Sequence, residues 1–168
     1  MYNVGDLTVY STQGICRIID ISEKTFSDIT KKYYVLQPLN DPKLSISVPV
    51  KSDKSNLSDV VNVTEAEEII ASFKAPASEW IEKNLHRTQA FSDILKKGNR
   101  LEMSNIINTL IRKKQELEQL DKKFPAQDLR FLQTVQSMLF MELAISLSST
   151  PEAIADRIMQ NIEDTIHA

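Results

Sequence analysis

The chain has 168 residues, 42% of them hydrophobic, with three glycines and a net charge of −3, which suits one medium domain or two small ones and excludes a low-complexity chain. No apolar run approaches the roughly 18–20 residues needed to cross a bilayer, since the longest, residues 137–147, is interrupted by Glu142. A single cysteine, Cys16, excludes an internal disulfide, and residues 1–6 have neither the basic start nor the apolar stretch of a signal peptide, so a soluble cytoplasmic protein is expected.

Taken in chain order, the first sixty residues read as strands. Residues 7–10 form a short β-rich run, and Gly14 separates it from residues 15–21, where Ile15, Ile19 and Ile21 alternate imperfectly with Arg17 and Asp20. That irregularity predicts a bent or bulged strand. Residues 32–37 supply a third run. Leu44, Ile46 and Val48 then alternate with Ser45 and Ser47 before Pro49 ends or edges the strand, and residues 40–43 make the intervening turn. Four short strands predict a small barrel-like or strongly bent antiparallel sheet.

Beyond Val63 the periodicity becomes helical. Thr64 with Glu67 makes a capping box ahead of Ile69, Ile70 and Phe73, and Ala75-Pro76 interrupts the helix. Ser78 is placed to cap a second helix through Trp80 to about residue 97, with Leu85, Phe91, Ile94 and Leu95 inward and Gly98-Asn99 as its C-terminal cap. A third helix, about 101–120, carries Met103, Ile106, Ile107, Leu110 and Ile111 on one side. Phe124-Pro125 stops it. The fourth, about 128–148, is apolar on most faces and is expected at the centre of a bundle. Thr150 caps the last helix, with Pro151 at its first position and Ile154, Ile158, Ile162 and Ile166 along one stripe. The expected class is α+β, divided into residues 1–63 and 64–168.

Signatures of chemistry are missing. His86 and His167 have no ligand-like neighbours, the three glycines build no phosphate loop, and Cys16 in a strand reads as a packing residue, so no enzyme, metal site or cofactor is expected. Charge is unevenly spread. Residues 80–115 hold eight basic side chains (Lys83, Arg87, Lys96, Lys97, Arg100, Arg112, Lys113, Lys114) against three acids, or +5, and residues 116–168 hold four against nine, or −5. The excess reads either as an ordinary solvated helix face or as a local surface for phosphate. Trp80, the sole tryptophan, reads either as a packing anchor or as an exposed aromatic set against DNA beside those cations.

The run Val4-Gly5-Asp6-Leu7-Thr8-Val9-Tyr10, with Gly14 following, resembles the opening of CarD/CdnL proteins, bacterial transcription regulators. The resemblance continues through Lys32-Tyr33-Tyr34-Val35-Leu36 and the strand ending Ser47-Val48-Pro49, and more loosely through residues 86–99, 106–114 and Met141-Glu142-Leu143-Ala144. It implies a Tudor-like N-terminal module, shared with the transcription-repair coupling factor, that binds the RNA polymerase β subunit, here through Lys24, Phe26, Ser47, Val48 and Pro49. It also implies that the helical domain meets promoter DNA at the upstream edge of the bubble through Trp80, Lys83, Asn84, Arg87, Lys96, Lys97 and Arg100, and so stabilises the open complex. Such contacts would be to phosphates and the minor groove, largely without sequence specificity, made by a cytoplasmic, nucleoid-associated monomer. Two departures stand out. Ser47 occupies a position where the family carries a basic residue, and the family's tryptophan aligns with Asn84, four residues past Trp80. The alternative is a polymerase-docking adaptor whose helices bind another protein and not DNA.

Overall fold

A computed structural model describes residues 1–51 and 56–166, and the chain divides between Val60 and Val61 into two compact units. The architecture is α+β: a five-stranded antiparallel sheet, then five helices. The strands are β1 (Leu7–Tyr10), β2 (Gly14–Phe26), β3 (Ile29–Pro38), β4 (Ile46–Pro49) and β5 (Leu57–Ser58), in the order β4-β3-β2-β1-β5. β5 was not among the expected strands, because two residues cannot display a period.

The irregular alternation in β2 is a bulge between Ile18 and Asp20. It overturns the expected alternation: Ile18 is buried, and Ile19 turns outward at 40% exposure. One extra residue restores the facing, so Cys16 and Ile18 share the inner side of the sheet with Ile21, packed against Tyr34, Leu36 and Val48. Burial pushes the Cys16 thiol up to about 11, in keeping with a packing role.

β2 and β3 extend past the sequence expectation into a long hairpin, where residues 24–31 pair only with one another. Its turn is Ser27-Asp28, flanked by the pair Phe26 and Ile29, and both turn residues have positive φ (49° and 65°). Two-residue hairpin turns of this kind favour Asn-Gly, because ordinary L-residues pay roughly 1–2 kcal/mol each in the left-handed region. Ser27→Asn with Asp28→Gly should therefore raise stability by about 1 kcal/mol, read as a higher urea midpoint at unchanged m-value.

In the second unit, α1 (Val63–Ala71) is capped by Asn62, whose Oδ1 accepts the Glu65 N–H at 2.8 Å, so Thr64 lies inside the helix and is not its cap. A 3-10 turn, Ser72–Lys74, follows. α2 spans Asn84–Lys97 and ends on Gly98 at φ 72°, a left-handed cap that suits glycine. α3 (Arg100–Gln119), α4 (Ala126–Ser146) and α5 (Pro151–Ile166) complete the bundle, and Thr150 Oγ1 accepts the Ala153 N–H. Ile70, Phe73, Ile107, Leu110, Leu139, Leu143, Ile154 and Ile158 lie in a common core. Among the described residues no helix is long and apolar enough to cross a membrane.

The second helix departs most from expectation. It begins at Asn84 and not at Ser78, and residues 75–83 form an irregular strap. Side chains of α3 hold that strap: Asn108 Nδ2 donates to the Ala75 carbonyl, Thr109 Oγ1 accepts the Ser78 N–H, and Ser78 Oγ donates to Asn105 Oδ1. A backbone satisfied by these partners gains nothing by coiling. Leu85, expected inward, is 78% exposed.

Candidate functional site

Strand register sorts the residues expected at the polymerase contact. Opposite residues of an antiparallel pair share a face, so Lys24 and Phe26 of β2, Tyr33 of β3, and Ser47 and Pro49 of β4 all lie on the outer face of the sheet. Lys24 Nζ donates to Ser47 Oγ at 2.6 Å and stands 5.9 Å from the Tyr33 ring, and Phe26 meets the same ring edge-on at 6.2 Å. The patch is a tyrosine flanked by a cation and a phenyl ring, ending at β4, an edge strand whose outward backbone groups have no neighbour in the sheet. Val48 lies on the opposite face, buried against Leu36 and Tyr34, so its side chain serves the core and not this surface.

Ile29 belongs to the patch, and the sequence reading missed it. It sits opposite Phe26 at the hairpin tip, and the two are 58% and 62% exposed. Two large apolar side chains left in water at one tip are more informative than isolated exposed ones. The signal was present in the spacing Phe26-Ser27-Asp28-Ile29, a two-residue turn between apolar residues.

The expected DNA contacts divide differently. Arg87 is 1% exposed and lies inside the helical unit. Its Nε and Nη2 donate to the two Asp128 carboxylate oxygens at 2.9 and 2.5 Å, Nη2 donates also to Asn84 Oδ1, and Nη1 donates to the Ile81 and Glu82 carbonyls. Every nitrogen of the guanidinium is thus engaged, and Arg87 is corrected from a phosphate contact to a structural ion. Asn84 stands at the first position of α2 within this network. Trp80, being on the strap, shares no helical face with it. The indole is half-buried against the core, with the Arg87 guanidinium 4.3 Å and Lys113 Nζ 5.5 Å from its ring centroid. Trp80 therefore fastens the strap.

Arg100 is half-buried and likewise engaged within the fold. Its Nε and Nη2 donate to the two Glu142 oxygens at 3.0 and 3.1 Å, Nη1 donates to the Gly98 carbonyl, and Glu142 Oε2 also accepts the Val61 N–H. Arg112 donates to Asn108, Thr165 and the Phe73 carbonyl, and burial lowers its pKa. Lys113 pairs with Glu116, and Lys114 with Glu118. Much of the local charge excess is thus balanced within the fold. Lys83, Lys96 and Lys97 remain exposed, with no ion-pair partner among the described residues. Lys83 lies about 20 Å along α2 from the other two, beyond the Debye length of about 8–10 Å. Near it on the strap, Glu79 and Glu82 are exposed acids.

Comparison with known proteins covers both units. The model of the CarD-like/TRCF RID domain matches residues 2–61, and that of the CarD C-terminal domain matches residues 68–159. A protein of Bacillus subtilis (strain 168) named "Putative transcription factor YdeB" is 25% identical over 155 residues, covering 92% of this chain and 97% of that protein. Two matched domains, in the same order and together spanning most of the chain, identify it as a member of the CarD family, transcription regulators with an RNA polymerase-interacting domain.

Proposed function

We propose that this CarD-family protein regulates transcription by binding alone, without catalysis. Its N-terminal unit docks on the polymerase β subunit, and its helical unit holds promoter DNA near the upstream edge of the bubble, stabilising the open complex. The observation that carries this reading is the outer sheet face, where Lys24, Phe26, Tyr33, Ser47 and Pro49 adjoin an open strand edge. Such an edge favours strand addition, with main-chain hydrogen bonds giving affinity and Lys24 and Phe26 giving selectivity. Ser47 donates no charge-assisted bond, so more of the docking falls to Lys24 and the apolar tip.

Of the residues expected at DNA, the exposed cations are Lys83, Lys96 and Lys97, with Trp80 and Arg87 supporting the strap from inside. Few phosphate contacts imply weak binding to free DNA and positioning without sequence reading; in this reading the protein acts as a monomer associated with the nucleoid in the cytoplasm. The adaptor reading is favoured by a different observation: Leu85 and Ile81 are exposed apolar residues beside the acids Glu79 and Glu82, a composition suited to a protein partner.

Open-complex lifetime on a supercoiled promoter separates the two. Lys96→Glu with Lys97→Glu should shorten the lifetime several-fold and reduce the slope of log affinity against log salt by about 2, one for each lost phosphate contact. A lifetime equal to wild type in that variant, with polymerase docking retained, would establish the adaptor reading in its place. Trp80→Ala should lower stability and lifetime together.

A further inference from the structure

A groove of about 690 Å3 lies along the β2–β3 hairpin beside the end of β4. Ile21, Tyr34 and Val50 line its apolar part, and Lys31, Lys32 and Lys51 contribute exposed ammonium groups. Glu23 is the acid among the described lining residues. We propose that this groove binds an acidic polypeptide segment, seating an aliphatic side chain between Ile21 and Val50 while flanking carboxylates meet the lysines.

Three observations point to that occupant. Among the described lining residues three lysines stand against one acid on a chain whose net charge is −3, so this lining is opposite in sign to the net charge of the molecule. The lining favours aliphatic contact over bases: its tyrosine, Tyr34, is 4% exposed and its hydroxyl accepts the Tyr2 N–H, which leaves no open aromatic platform for stacking. The hairpin is also poorly supported, because residues 24–31 have no third strand, and a two-stranded ribbon is marginal alone in water. A segment laid along its inner face would cover that ribbon. Ile21, Glu23, Lys32 and Tyr34 lie on the face opposite Lys24 and Phe26, and the groove meets the docking patch at Pro49 and at Lys31, which pairs with Lys24.

The test uses the full chain, labelled with 15N, and the peptide Glu-Glu-Leu-Asp-Leu-Glu-Glu, with its Gln/Asn counterpart as the neutral control. Saturable shifts are expected at the amides of Ile21, Glu23, Lys32 and Tyr34. Lys32→Glu with Lys51→Glu should weaken binding at least about tenfold, because each reversal sets like charge against the ligand, and Phe26→Asp should leave it unchanged. No saturation at millimolar peptide, equal affinity for the neutral peptide, or shifts centred on Lys24 and Phe26 would overturn the proposal. Tighter binding of a dodecathymidine strand than of the acidic peptide would overturn it in favour of a nucleic-acid groove.

Discussion

Replacing Asp128 with alanine is expected to lower the free energy of unfolding by about 3–5 kcal/mol, the usual cost of leaving one ion of a buried pair without its partner. Arg87 and Asp128 are 1% and 3% exposed and joined by two hydrogen bonds. Without the carboxylate, a desolvated guanidinium keeps only neutral acceptors, two carbonyls of the strap and Asn84 Oδ1. It must then import water or swing outward, and the outward swing releases the Ile81 and Glu82 carbonyls and removes the cation from the Trp80 ring. Trp80 is the sole tryptophan, so the change is visible directly: its emission should shift to the red before global unfolding, and the urea midpoint should fall. Arg87→Leu with Asp128→Leu should cost less than Asp128→Ala alone, since removing both ions leaves no uncompensated charge. If Asp128→Ala cost under 1 kcal/mol with Trp80 emission unchanged, the strap would be held by α3 alone.

The same ion pair explains why the charge arithmetic of the sequence pointed outward. Asp128 lies 41 residues from Arg87, and Glu142 lies 42 from Arg100. Counting charges along a local window brings in the arginines and leaves out the carboxylates that neutralise them. Periodicity fails at the strap for a related reason: the start of α2 is set by Ser78, Ile81 and Glu82 bonding to α2 and α3 side chains, and no local pattern encodes those partners. Where local chemistry governs, the sequence was legible. Gly98 ends α2, Pro151 opens α5, and β1 occupies residues 7–10. The proposed docking face stands between these cases. The family resemblance named Lys24, Phe26, Ser47 and Pro49, which share one face of the sheet, whereas the full hairpin was not legible, because its outer half is too polar for alternating hydrophobicity to mark it. Val48 needed the register, since a strand's alternation separates two faces without saying which one meets the core.

Phe26→Asp is expected to weaken binding to the cognate RNA polymerase by at least about 2 kcal/mol, roughly thirtyfold, the range of an aromatic anchor at the centre of an interface. The exposed ring contributes little to folding, so the variant's stability should stay within about 0.5 kcal/mol of wild type, which separates lost binding from lost structure. Ile29→Asp, on the paired strand, should behave likewise if the two side chains enter one apolar site on the polymerase, and the double variant should then lose less than the sum of the two singles. Lys24→Glu should act mainly on the association rate and its salt dependence, because its ammonium group is solvated and held by Ser47. Ser47→Arg restores a basic side chain at the position where the family carries one. It should tighten binding if the polymerase keeps the matching acid, and leave affinity unchanged if docking in this member has moved to the hairpin tip. Wild-type affinity for Phe26→Asp and Ile29→Asp together would exclude the tip from the interface and return the contact to the β4 edge alone.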